Sequence, residues 1–311
     1  MESLPQSDKE KWTVNKAVRT DNGLKKPVSN LLLRLITGVI IAFFTVVIAC
    51  WGGLAFRFFC FCVGAAVLYE WNSIIAVLQT LRGRLCAGIG FLLPGIALLI
   101  AAPPLYVFAA FFAGLCLCYG LVRAETGARA AVFQAAGFVY AVLFPLSFVF
   151  LREGLAHGSE TGLYWLLFLY STVWASDIGA YSCGRLCGGP KLAPKISPNK
   201  TWSGAIGGAV SAILGACFFT FLLRQQSILT EGSAIMAQFM PFSLIIVLAF
   251  LLSVIAQIGD LAESVFKRHF GVKDSGRLLP GHGGIMDRID GLLPACIVLA
   301  GLLAFTDWGF P

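Results

Sequence analysis

Apolar residues fall into nine runs along this 311-residue chain, at 31–51, 54–77, 85–102, 105–122, 130–151, 162–180, 203–223, 239–258 and 292–308. Their lengths suit the crossing of a hydrocarbon core roughly 30 Å thick. A backbone in lipid finds no water to bond, so these runs are predicted to be helices that satisfy their own N–H and C=O groups. The pattern predicts an all-α, polytopic integral membrane protein with about nine transmembrane helices. A polar segment, 1–30, precedes the first run and is too long and too charged for the start of a signal peptide. The run itself closes on Ala49-Cys50-Trp51, without a small-residue cleavage site. Residues 1–30 read as a disordered cytoplasmic tail. With 58% hydrophobic and 13% charged residues, composition excludes a soluble globular domain.

Charge then orients the chain. If the N-terminus is cytoplasmic, twenty of the 23 Lys and Arg fall on its side of the membrane, and only Arg57, Arg152 and Arg224 fall outside. That asymmetry predicts nine spans in the cytoplasmic (inner) membrane, with the C-terminus on the far side. The basic patches need no nucleic acid to explain them; a membrane surface or a phosphate ligand accounts for them. Eight of the ten cysteines lie within or at the ends of apolar runs, where Cys acts as a small hydrophobe. Cys183 and Cys187 have no second pair with which to complete a zinc site.

Polar chemistry divides the chain in two. The N-terminal helices, 31–160, are nearly blank apart from Glu70 in "LYEWNS". This acid either reaches water or a neighbouring helix from the end of its span, or belongs to the surroundings of a polar site. Residues 161–311 carry two polar segments, one from Asp177 to Lys200 and one from Asp260 to Asp290. Two spans lie between them, so both emerge on one face and can build one site. A transporter with an ion site on that face is the alternative. It should show repeated halves or helices broken at mid-membrane, and neither is apparent.

In "GDLAESVFKRHF" nothing breaks a helix, so Asp260, Glu263, Ser264 and Lys267 share a face at spacings of three and four. Asp287 and Asp290 repeat the acid spacing of three, after Gly281, Gly283 and Gly284, which can expose backbone N–H groups to an anion. With Asp274, five carboxylates stand close to Lys267, Arg268, Lys273, Arg277 and Arg288. So many acids in one place repel each other unless cations neutralise them. Mixed acids and bases at this density suit Mg²⁺ held by carboxylates together with substrate phosphates. An unliganded, salt-bridged loop is the plain alternative, though exposed pairs stabilise little. His282 suits a hydrogen bond or a phosphate better than zinc, for which too few histidines are present. Upstream, Asp177, Arg185 and Lys200 precede a helix that Ser197 or Asn199 could cap, giving a start that favours phosphate. Gly204 and Gly208 inside that helix read as close helix packing.

The order of these residues is specific. Ser264-x-Phe266-Lys267-Arg268-x₄-Lys273-Asp274-x-Gly276-x₂-Leu279-Pro280-x-His282-Gly283-Gly284-Ile285-x-Asp287-Arg288-Ile289-Asp290 resembles the full signature of the phosphatidate cytidylyltransferases, the CDP-diacylglycerol synthases. Asp177-x-Gly179-Ala180-Tyr181-x₂-Gly184-Arg185 and Ser197-Pro198-x-Lys200-Thr201 are similar to that family as well, whereas the first half resembles it only in hydropathy. The resemblance implies transfer from CTP to phosphatidate, giving CDP-diacylglycerol and pyrophosphate. It also implies dependence on Mg²⁺, with K⁺ implicated as a second metal, and a homodimer in the bilayer. Metal ligands map onto Asp260, Asp287 and Asp290, with Glu263 and Asp177 as secondary metal or lysine-orienting groups. Lys200, Lys267, Arg268, Lys273 and Arg288 become candidate phosphate clamps. A CDP-alcohol phosphatidyltransferase would need Asp-Gly-x₂-Ala-Arg, and Asp290-Gly291-Leu292-Leu293-Pro294-Ala295 does not supply it.

Overall fold

A computed structural model describes residues 30–76, 80–154, 160–225, 241–279 and 283–305. All but the last residue of the expected N-terminal tail, and His282, lie outside the described residues. The elements are α1 (Asn30–Trp51), α2 (Gly53–Ile74), α3 (Leu81–Leu99), α4 (Pro104–Thr126), α5 (Ala128–Glu153), α6 (Glu160–Cys187), β1 (Lys191–Ala193), β2 (Ser197–Thr201), α7 (Trp202–Gln225), α8 (Phe242–His269), the single turn α9 (Met286–Ile289) and α10 (Leu292–Ala304).

Each apolar run thus coincides with a helix among the described residues. Six of these, α2–α5, α7 and α8, are long and apolar enough to cross a membrane. Ile36–Trp51 and Leu292–Ala304 are shorter apolar stretches, and α6 falls outside the six, so length and composition do not by themselves carry the count of nine. The case of α6 has a physical reason. Its first part runs through the protein interior, where Tyr164, Trp165, Leu166, Phe168, Leu169, Thr172 and Ser176 are buried, and a helix segment sheathed by other helices can carry polar groups. The outer surface of the bundle looks different: the apolar side chains of Phe43, Phe108, Leu214 and Phe218 are all exposed.

α6 and α7 pack backbone to backbone. A side chain on Gly204 would press on the carbonyl oxygen of Ala180, and one on Gly208 on that of Ser176, which is the close packing expected of this pair. Hydrogen bonds then tie α8 to the same two helices: Ser176 Oγ lies 2.7 Å from Ser253 Oγ, and Gln257 Nε2 donates to the Ala205 carbonyl at 3.2 Å.

Two features correct the sequence reading. The connector between α6 and α7 is a small antiparallel hairpin, with Lys191 opposite Thr201 and Ala193 opposite Ser197, where an all-α fold had none. The cap of α7 is Thr201, whose Oγ1 accepts from Gly204 N–H at 3.1 Å, rather than Ser197 or Asn199, which lie in the strand. The hairpin brings the chain straight into the helix, so the last strand residue is the one with its hydroxyl over the first turn.

Candidate active site

The C-terminal ends of α6 and α8, the start of α7, the hairpin and the α9 turn enclose a cavity of about 710 Å³. Its walls gather Asp177 and Arg185 from α6, Asn199, Lys200 and Thr201 from β2, and Gln257, Asp260 and Lys267 from α8. Asp274, Asp287, Arg288 and Asp290 complete them. Both polar segments therefore open into one space at one end of the bundle. Arg57 and Glu153 form an ion pair at the opposite end, Arg57 Nε donating at 2.7 Å.

Helix geometry sets the first acids. Gln257, Asp260 and Lys267 recur near the turn spacing of α8, so one stripe of that helix faces the cavity. Asp290 comes to the same place because α8 and the start of α10 touch without intervening side chains. A Cβ on Gly259 would collide with the Asp290 carbonyl oxygen, and one on Gly291 would lie 3.0 Å from that of Ala256. Burial, reinforced by negative Glu263, Asp260 and Asp177 around it, pushes the Asp290 carboxyl well above the usual carboxylate range.

The two lysines sit in different settings. Lys200 Nζ is 2.5 Å from Asp260 Oδ2, and these side chains are 25% and 39% exposed. A pair this open to water holds its partners weakly and exchanges them readily. Lys267 is locked instead. Its Nζ reaches Glu263 Oε1 at 3.0 Å and Asp287 Oδ1 at 2.5 Å, with all three side chains 10% exposed or less. The other oxygen of Asp287 accepts from Ser275 N–H at 2.9 Å and Gly284 N–H at 3.0 Å. Burial alone would raise Asp287. The Lys267 hydrogen bond and the two amides outweigh it and hold this acid below its ordinary range.

Other predicted residues stand apart. Glu263 is buried behind Lys267 and does not line the cavity; its Oε2 has no hydrogen-bond partner. Arg268 donates to the carbonyls of Ile196 at 3.4 Å and Val272 at 3.2 Å, bracing the hairpin turn against the end of α8. Lys273 is exposed and outside the cavity lining. Gln257 went unremarked in the sequence, though it was findable, lying three residues before Asp260 on one helical face. Thr201 stood in the sequence only as the end of the Ser197-Pro198-x-Lys200-Thr201 motif, with no role given to its hydroxyl.

Among the described residues no three His, Cys, Asp or Glu side chains converge closely enough to hold a metal ion as they stand. The donor set nevertheless fits a hard cation. Asp260 and Asp290 supply carboxylate oxygens from segments in direct contact, beside Asp177, and phosphates can fill the remaining positions of Mg²⁺.

A half-open polar cavity, walled by acids and bases, lies at one end of a bundle of apolar helices, six of them long and apolar enough to cross a membrane, and this is the architecture of a multi-pass membrane protein with a charged site. Comparison with known proteins narrows this. Residues 32–306 match the profile of the Cytidylyltransferase family, to which the chain belongs. Proteins named phosphatidate cytidylyltransferase from Brucella suis and Brucella melitensis are 42% identical over 272 residues, covering 88% of this chain and 93% of theirs. One from Haemophilus influenzae is 42% identical over 161 residues, 51% of this chain and 53% of its own length.

Proposed function

We propose that the chain is a phosphatidate cytidylyltransferase of the cytoplasmic membrane, joining CTP and phosphatidate to give CDP-diacylglycerol and pyrophosphate, with the cavity facing the cytoplasm. The observation that carries this reading is the meeting of Asp177, Lys200, Asp260, Lys267, Asp287, Arg288 and Asp290 around one cavity in a member of this family.

In the proposed reaction a phosphate oxygen of phosphatidate attacks the α-phosphorus of CTP, and the bond to pyrophosphate breaks. The phosphate is already ionised near neutral pH, so no general base is required. Two anions must instead be neutralised and aligned, and the leaving pyrophosphate stabilised. Asp260 and Asp290, with Asp287 beside them, would hold Mg²⁺, which supplies charge neutralisation between the reacting phosphates. Lys200 is poised to exchange partners. Without substrate it neutralises Asp260, and an incoming phosphate draws the ammonium away and frees that carboxylate. Lys267 stays between Glu263 and Asp287, keeping Asp287 ionised and in place. Arg288, exposed on the α9 turn at the cavity wall, is free to form charge-assisted bonds to a polyphosphate. A site at the end of the helices suits a lipid substrate that stays in the bilayer and a nucleotide that arrives from water.

Two measurements test this. Purified protein in detergent should incorporate labelled CTP into lipid only with both phosphatidate and Mg²⁺ present; no incorporation by folded protein overturns the reading. Lys200→Ala should raise the KM for a phosphate-bearing substrate about 10-fold or more, since charge-assisted contacts contribute about 1.5–3 kcal/mol. Unchanged kinetics would remove Lys200 from the site.

A further inference from the structure

The helix α2 belongs to the chemically blank half of the chain, yet its Glu70 is 1% exposed and reaches the segment that carries Asp287. Glu70 Oε1 accepts from Ile285 N–H at 2.9 Å, and Oε2 accepts from Met286 N–H at 2.8 Å and from Ser275 Oγ at 2.9 Å. Ser275 continues the circuit. Its N–H donates to Asp287 Oδ2 at 2.9 Å, and its Oγ accepts from Asp287 N–H at 3.3 Å. One buried carboxylate thus binds the chain before and after residues 280–282, holding Ser275 on one side and the two backbone N–H groups that directly precede Asp287 on the other.

The fit leaves no slack. A Cβ on Gly276 would lie 2.5 Å from Glu70 Oε1, and one on Gly284 would collide with Ser275 Oγ. These two glycines are required because the loop backbone closes directly around the carboxylate. The neighbouring residue of α2 grips the other acid-bearing element. Trp71 stacks on Phe266, with ring centroids 3.9 Å apart, one residue before Lys267, and its Nε1 donates to the Phe133 carbonyl at 3.0 Å. The end of α2 therefore sets both sides of the Lys267–Asp287 pair.

We propose that Glu70 is a positioning residue for cytidylyl transfer: resting on the function proposed above, it pre-organises the loop so that Asp287 meets Lys267 and the cavity at a fixed distance. It touches neither substrate and acts through the backbone of residues 284–287. Buried partners that orient a ligand-bearing acid often matter about as much as 10- to 100-fold in affinity or rate.

The test is Glu70→Gln, which keeps the size and removes the charge. Whichever way the amide turns, its NH₂ faces a backbone N–H, either of Ile285 or of Met286. Two readouts are expected. In metal-free, substrate-free protein, amide hydrogen exchange at Ile285 and Met286 should speed up at least about tenfold, as this loop opens locally without its anchor. In turnover assays kcat should fall about 10- to 100-fold, while the KM for phosphatidate changes by no more than about twofold. Wild-type kcat in Glu70→Gln, or unchanged exchange, overturns the proposal. Should that variant fail to fold, Ser275→Ala decides: it cuts the same circuit and should lower kcat severalfold, and wild-type kcat again overturns the proposal. An inactive wild-type protein would instead sink the functional reading, so the two failures are distinguishable.

Discussion

Asp287→Asn is expected to fold and enter the membrane as the wild type does, and to lose turnover about 10³-fold, the scale seen when a preorganised electrostatic group is removed. The reason lies in the three donors that surround this carboxylate. Lys267 Nζ approaches Oδ1, and the amides of Ser275 and Gly284 approach Oδ2. An asparagine has one acceptor oxygen to offer. If that oxygen serves the two amides, its NH₂ points at an ammonium; if it serves Lys267, the NH₂ points at two N–H groups. Lys267 keeps Glu263 in either case, so the helix retains its ion pair and the damage stays local. Turnover of labelled CTP, alongside a thermal melt in detergent, checks both halves of the expectation. A variant with more than a tenth of wild-type activity would remove Asp287 from the centre of the site.

How far the sequence foretold this arrangement depended on the range of the interactions. Apolar runs reported helices well, because lipid leaves the backbone no alternative. The polar stripe of α8 was legible in part for a similar reason: Asp260 and Lys267 face the cavity at turn spacing, whereas Glu263, expected on the same face, is buried behind Lys267. That Asp177 and Lys200 join Asp287 and Asp290 followed from an even number of intervening spans. The hairpin from Lys191 to Thr201 was not legible, since Pro190, Pro194 and Pro198 break any alternating pattern and the first strand has three residues. Nor could charge alone separate Lys200, which lines the cavity, from Arg268 and Lys273, which do not. For Glu70 the sequence left two readings open, a charge that reaches water or a neighbouring helix and a group around the polar site. Its partner Met286 is 216 positions away, and no local periodicity chooses between them.

The meeting of α8 with the start of α10 has its own consequence, for Gly259→Ala. The added methyl would strike the carbonyl oxygen of Asp290 and lie 2.6 Å from Pro294 Cγ. Neither can move aside cheaply, because one is backbone and the other a ring in the first turn of α10. The helices must separate instead, and Asp260, the next residue, moves away from Asp290. Overpacking of this kind costs about 1–3 kcal/mol of stability. Catalysis should suffer more, about 10²-fold in kcat, because a displacement on the order of 1 Å between reacting groups is enough for that. Gly120→Ala is the control, since a Cβ there meets nothing within 4 Å, and it should leave turnover unchanged. If Gly259→Ala were as active as Gly120→Ala, Asp260 and Asp290 could not be acting together on one cation, and the close contact of their helices would be packing without catalytic consequence.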